Sequence, residues 1–140
     1  MRRLRFEHAS ANVPLSPDGR WLAFSGKDGR TLTLVAVEGG ESRELFRLDS
    51  NTDVLTPLSW TPDSRYVLCR NEAGQLWRIS VSDGEARKLA IPIKGLQQLR
   101  VHPDGKRVAI LAQQPGAEIW VLENFLPTAK ATAARRRVNP

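Results

Sequence analysis

The chain has one cysteine in 140 residues, one methionine and one tyrosine, and only 6% of it is aromatic. A lone thiol excludes an internal disulfide. Cys69 follows Val67 and Leu68 and reads as a buried strand residue, and no local motif supplies the His or other activation that a catalytic thiol needs. No apolar run is long enough to cross a bilayer. The N-terminal Met1-Arg2-Arg3-Leu4-Arg5-Phe6-Glu7-His8 is charged but has no apolar segment behind it, so it does not read as a signal peptide. The default expectation is a cytoplasmic chain, with an extracytoplasmic place open to it as part of a longer protein.

Motifs of chemistry are missing too. There is no Gly-x-Ser-x-Gly elbow, and the length of a hydrolase domain is absent with it. There is no Walker A loop, no dinucleotide glycine pattern and no paired Cys or His ligand set. Asp49-Ser50-Asn51-Thr52-Asp53 has the Asp-x-Asn-x-Asp spacing of a calcium loop. The full loop also needs a Gly and then a Glu where this chain has Val54 and Trp60, so the segment reads as a solvated loop. No catalytic residue, no metal and no cofactor are expected.

The excess of positive charge is confined to the ends. Net charge is +6, from 21 basic and 15 acidic residues. Arg2, Arg3, Arg5, Lys130, Arg135, Arg136 and Arg137 lie in the terminal segments, and the body without them carries about one negative charge in excess. The short arginine run has no interleaved aromatics, so it supplies weak, salt-sensitive attraction and nucleic acid is not an expected partner.

What the chain does have is a repeat. Leu15-Ser16-Pro17-Asp18-Gly19-Arg20-Trp21-Leu22-Ala23-Phe24 returns as Leu58-Ser59-Trp60-Thr61-Pro62-Asp63-Ser64-Arg65-Tyr66-Val67-Leu68. It returns again as Leu99-Arg100-Val101-His102-Pro103-Asp104-Gly105-Lys106-Arg107-Val108-Ala109. The prolines stand 45 and then 41 residues apart, a spacing that matches the blade period of β-propellers. Pro sets φ for the second turn position, Asp suits the third and bonds nearby backbone, and Gly takes the left-handed geometry that follows. Ser64 replaces that glycine in the second copy, which predicts a strained or differently bulged turn. His102 stands where the other copies have Ser16 and Thr61, and is expected on the surface.

The expected fold is all-β, with about three four-stranded antiparallel blades of a partial propeller. The repeats are placed at 12–48, 57–90 and 97–126. Predicted strands in the first are the inner segment before Pro17, Trp21–Ser25, Thr31–Val37 and Ser42–Leu48. In the second they are Pro57–Trp60, Tyr66–Arg70, Gln75–Val81 and Glu85–Ala90; in the third, Gln97–His102, Lys106–Ala112 and Ala117–Leu122. The last blade is expected to lack its fourth strand. Residues 2–6 read as an orphan strand of a further blade, which makes 1–127 the propeller part and 128–140 a basic flexible tail, frayed helix or disorder. Trp77 and Trp120, whose counterpart in the first repeat is Thr33, are placed between adjacent sheets.

These residues, the Pro-Asp-Gly turn, the apolar strand after it and the Leu76-Trp77 and Ile119-Trp120 pairs, resemble the PD40 repeat of TolB-type bacterial β-propellers over 12–126. The segment 118–126 resembles the last blade of propellers that follow kinase or winged-helix domains. The Gly-His and Trp-Asp signature of WD40 repeats is absent. The resemblance implies a non-catalytic interaction or sensory scaffold, the C-terminal part of a larger propeller, with a protein partner and no membrane. Its alternative is the remnant of the propeller domain of a peptidase-like enzyme. Three blades do not close a ring, so self-association or upstream blades are expected to complete it. The uncovered ends are predicted to be Leu15, Trp21, Leu22, Phe24 and Leu34 on one side and Ile110, Leu111, Ile119, Val121 and Leu122 on the other. Ala117–Leu122 is expected to be a free edge that Arg2–Phe6 could cover. Loops held on rigid sheets carry recognition. The candidate partner-binding residues are therefore Asp49, Asn51, Asp53, Asn71, Glu72, Lys94, Gln113 and Gln114.

Overall fold

The three Pro-Asp turns close in one way. The amides of Gly19, Ser64 and Gly105 donate to the carbonyls of Ser16, Thr61 and His102 at 2.8, 2.9 and 2.9 Å. All three donors are left-handed, with φ of 73°, 59° and 69°. The second turn therefore uses the same geometry as the glycine turns, at a cost of roughly 1–2 kcal/mol for a residue with a Cβ. It does not rely on a different bulge. The Ser64 hydroxyl accepts from the Asp18 amide of the neighbouring turn at 3.1 Å, which offsets part of that strain.

Side chains lock each turn. Asp18 accepts from the Ser16 hydroxyl at 2.5 Å and the Arg20 amide at 3.0 Å. Asp63 repeats this with the Thr61 hydroxyl at 2.6 Å and the Arg65 amide at 3.1 Å. In the third turn His102 is exposed, as expected, and its Nδ1 accepts from the Asp104 amide at 3.2 Å.

The computed structural model describes residues 12–40, 42–50, 53–91, 93–114, 116–124 and 134–137. Its strands are β1 (Trp21–Ser25), β2 (Thr31–Ala36), β3 (Arg43–Arg47), β4 (Thr56–Trp60), β5 (Tyr66–Arg70), β6 (Leu76–Ser80), β7 (Ala86–Leu89), β8 (Leu96–Val101), β9 (Arg107–Gln114), β10 (Gly116–Glu123) and β11 (Ala134–Arg137). They form three antiparallel sheets: blade I is β1-β2-β3, blade II is β4-β5-β6-β7 and blade III is β8-β9-β10-β11. No helix occurs among the described residues. The all-β partial propeller is thus what the chain forms.

Two strand expectations are corrected. The last blade does not lack its fourth strand, because β11 pairs antiparallel with β10, Ala134 opposite Glu123 and Arg137 opposite Trp120. Residues 134–137, placed in the flexible tail, are therefore an edge strand, and β10 is not a free edge. The first blade is the short one. Its inner segment is reduced to a single bridge between Leu15 and Leu22. The Pro14 carbonyl accepts from the Ala23 amide at 3.2 Å, but proline has no N–H to return a bond and extend the ladder. The proposed orphan strand 2–6 lies outside the described residues.

Two cores fill the gaps between sheets. Ala23, Leu32 and Leu34 of blade I meet Trp60, Val67, Cys69 and Ile79 of blade II, with Leu48 and Leu55. Leu58, Leu68 and Leu76 of blade II meet Leu96, Leu99, Val108, Ile110 and Leu122 around blade III. Trp77 and Trp120 pack against the first and second core respectively, as expected. Strand alternation assigns the faces: Val67 and Cys69 point one way and Leu68 the other. Alternation also corrects the predicted uncovered ends, which ran consecutive residues together. Leu34, Ile110 and Leu122 belong to the inter-sheet cores and Phe24 is buried, whereas Leu15 and Ile119 are 53% and 62% exposed.

Polar bonds cross the same gaps. The Trp60 indole donates to the Pro14 carbonyl at 2.9 Å, and the Arg100 guanidinium to the Leu58 carbonyl at 2.6 Å. On the outer strands Arg43 donates to the Val81 carbonyl at 2.9 Å.

Candidate functional site

One end of the stack of blades gathers the β1–β2, β5–β6 and β9–β10 hairpins and both interblade loops. This loop face holds every candidate residue that the structure describes. The first interblade loop is fixed on two sides. The Leu55 amide donates to the Gly29 carbonyl at 2.7 Å, and the Ser25 hydroxyl bonds the Leu55 carbonyl. Across the gap, Asp53 accepts from the Asn71 side-chain amide at 2.7 Å and from the Glu72 backbone amide at 3.0 Å. Asn71 is buried, and its carbonyl oxygen accepts from the Gln75 amide at 2.8 Å. The second interblade loop is tied less elaborately, through the Gln113 amide donating to the Gly95 carbonyl at 2.8 Å.

The candidates therefore divide. Asp53 and Asn71 spend their polar atoms on holding the loop to the next blade. Asp49, Glu72, Lys94 and Gln113 are exposed. Gln114 ends β9, and Asn51 lies outside the described residues. Asp53 faces hydrogen-bond donors on both oxygens, which suits a clamp and not a cation ligand. Among the described residues no group of three or more His, Cys, Asp and Glu side chains could hold a metal ion.

Asp28 adds a charged anchor beside this loop. Partial desolvation raises its pKa, but the Arg30 amide, the Thr31 hydroxyl and the Arg47 guanidinium together bring it down to about 2. Those contacts measure 3.0, 3.0 and 2.6 Å. Sequence reading missed this residue, although a Lys-Asp-Gly turn beside a strand-initiating Thr is the local signal for it. Burial pushes the Cys69 thiol far up, so it is no nucleophile at neutral pH.

Beside the second loop, Ala73, Gln75, Leu89, Ile91, Ile93 and Lys94 line an apolar depression of about 620 Å³. On the opposite end, Tyr66, Arg78, Ser80, Ser82, Asp83 and Arg87 line a polar one of about 570 Å³. The Arg78 guanidinium lies 4.5 Å over the Tyr66 ring.

Known proteins agree with the architecture. TolB from Acinetobacter baumannii superposes with a TM-score of 0.69 at 14% identity, over 94% of this chain and 33% of that one. A putative TolB from Agrobacterium tumefaciens gives 0.67 at 17% identity, over 91% and 46%. The β-propeller domain of Cps50 (Swd1) from Myceliophteria thermophila gives 0.61 at 20% identity, over 96% and 40%. These likenesses establish the TolB-type propeller fold. In sequence, DDB1- and CUL4-associated factor 13 of Gallus gallus is 28% identical over 117 residues, 76% of this chain. The chain spans 26% of that relative's length, and 19% of its Xenopus laevis counterpart. The β-propeller domain of the lipoprotein LpqB matches from residue 5 to residue 124, and the chain belongs to that propeller family.

Proposed function

We propose that the chain is a non-catalytic interaction scaffold that presents its loop face to a protein partner, as part of a larger TolB-like or kinase-linked propeller. The observation that carries this reading is the double locking of the interblade loops, by Asp53 to Asn71 and Glu72 and by Gly95 to Gln113. It holds the exposed Asp49, Glu72, Lys94 and Gln113 side chains on one rigid surface. A preorganised polar surface binds without the entropy cost of ordering loops. The avian relative is named for its association with DDB1 and CUL4, which supports a propeller working inside an assembly. The ring is completed by self-association or by upstream blades. The peptidase-remnant reading has no observation in its favour, since the inner strands offer Leu58, Ser59, Trp60 and Leu99 and no acid–base pair.

A photo-crosslinking residue placed singly at Glu72, Lys94, Arg65 or Ser82 tests the reading in extract of the source organism. The expected result is protein adducts from the first two positions and none from the last two, which lie at the opposite end. Adducts confined to Arg65 and Ser82, or none at all, would refute it.

A further inference from the structure

The polar depression at the turn end of blade II is built by side chains from three adjoining strands. Tyr66 of β5, Arg78 of β6 and Arg87 of β7 share the face that carries Leu68 and Leu76 into the second core, because strand side chains alternate. Arg78 stands directly opposite Arg87. Like charges so placed repel, and the pair costs stability unless an anion compensates it. Arg87 has its compensation in Glu85 at 3.0 Å. Arg78 has none: it is half-buried, lies 4.5 Å over the Tyr66 ring and makes no ion pair among the described residues. Arg65, which lines the same depression from the Pro62 turn, makes none either. The other acid of the lining, Asp83, is occupied by the Glu85 amide at 3.0 Å and by the Ser80 hydroxyl.

The frame around these groups is fixed. The Val81 amide donates to the Arg65 carbonyl and the Ser80 amide to the Glu85 carbonyl, both at 2.9 Å, so the turn and the β6–β7 hairpin hold each other. Donors are in excess within it. Besides the two guanidinium groups there is the Tyr66 hydroxyl, which makes no bond among the described residues. The Ser64 hydroxyl accepts from the Asp18 amide and keeps its hydrogen to give. The volume of about 570 Å³ is that of a small-molecule site, about 300–1,000 Å³, and exceeds what a bare anion fills.

We propose that this depression binds a small phosphorylated, hydroxyl-bearing molecule of the sugar phosphate kind. Its phosphate lies between Arg65 and Arg78, and its hydroxyls lie toward Ser82, Asp83 and Glu85. Two guanidinium forks and a hydroxyl offer more donors than a carboxylate, with two oxygens and one charge, can use. A phosphate monoester brings three acceptor oxygens and nearly two charges. Its charge also screens Arg78 from Arg87. The site is at the end opposite the loop face, so failure of the crosslinking experiment at Glu72 and Lys94 leaves it standing.

Titration of glucose 6-phosphate, and separately of inorganic phosphate, into the ¹⁵N-labelled full chain tests it. The expected result is saturable movement of the Arg65, Val81 and Ser82 amide signals, with glucose 6-phosphate binding at least tenfold more tightly than phosphate. Arg78→Gln should weaken it tenfold or more and abolish the rise in melting temperature that glucose 6-phosphate gives the parent. Arg78→Lys should recover part of the affinity, and Arg20→Gln, on the exposed turn of blade I, should change nothing. Far-UV circular dichroism checks the fold, and Arg65→Gln on the exposed turn replaces Arg78→Gln if that variant loses its strands. No saturable movement, equal affinity for the two probes, or an equal loss in Arg20→Gln would overturn the proposal. A phosphoserine peptide binding tenfold more tightly than glucose 6-phosphate would overturn it as well, by giving the site to a protein.

Discussion

Gly95 and Gly19 share a backbone conformation and differ in everything around it. Their φ values are 71° and 73°, so alanine at either pays about 1 kcal/mol for a left-handed residue with a Cβ. At Gly19 that is the whole cost, because a Cβ there would meet nothing within 4 Å. At Gly95 the Cβ would stand 1.9 Å from the Gln113 carbonyl oxygen and 2.9 Å from its carbon. This is backbone of β9, which cannot rotate aside. The loop must lift, and the bond from the Gln113 amide to the Gly95 carbonyl, now 2.8 Å, breaks. Adding about 1 kcal/mol for that bond and a similar amount for displaced packing brings Gly95→Ala to roughly 3 kcal/mol. For a domain of this size, each kcal/mol moves the melting temperature by about 3–4 °C. Differential scanning calorimetry at one fixed protein concentration should give a drop near 3 °C for Gly19→Ala and near 10 °C for Gly95→Ala. Equal drops would show that left-handed strain alone sets the cost and that the loop is not pinned to β9.

Three further outcomes are expected. Asp28 is held at about 2, below its ordinary 3.8, so the stability it contributes is present above pH 3.8 and is lost as pH falls toward 2; Asp28→Asn should flatten the acid limb of a urea-midpoint-against-pH curve over that window. Cys69 should react with a thiol reagent only at the rate of global unfolding, and rapid labelling of the native protein would contradict its burial between blades I and II. Asp53→Ala removes both bonds to blade II and should cost about 1–2 kcal/mol, with faster amide exchange at Glu72 than in the parent.

The blades were readable because their punctuation is local. A Pro-Asp turn states where one strand stops and the next begins, and the predicted Trp21–Ser25 and Tyr66–Arg70 are β1 and β5 to the residue. β11 was not readable, because Ala134-Arg135-Arg136-Arg137 has no apolar alternation and its strand form comes from β10 beside it. The shortened inner strand of blade I was hidden because the repeat itself is intact there: Pro14 stands where the second copy has Ser59, and it is the missing N–H of that one residue that leaves a single bridge. Within the loop face, Asp53 and Asn71 were visible as polar loop residues. That they answer each other across 18 residues of chain is a fact of packing, which composition and spacing do not carry.

Neighbouring residues of β5 serve different cores, Val67 and Cys69 the one against blade I and Leu68 the one against blade III. An insertion or deletion of a single residue in that strand would therefore exchange its two faces at once. Both seams of the molecule would fail together, whereas the same event in β1 or β9 would spoil one. Length change in this family should accordingly collect in the hairpins and spare the strands of interior blades, and a library of single-residue deletions across the chain would show its deepest intolerance at Val67, Leu68 and Cys69.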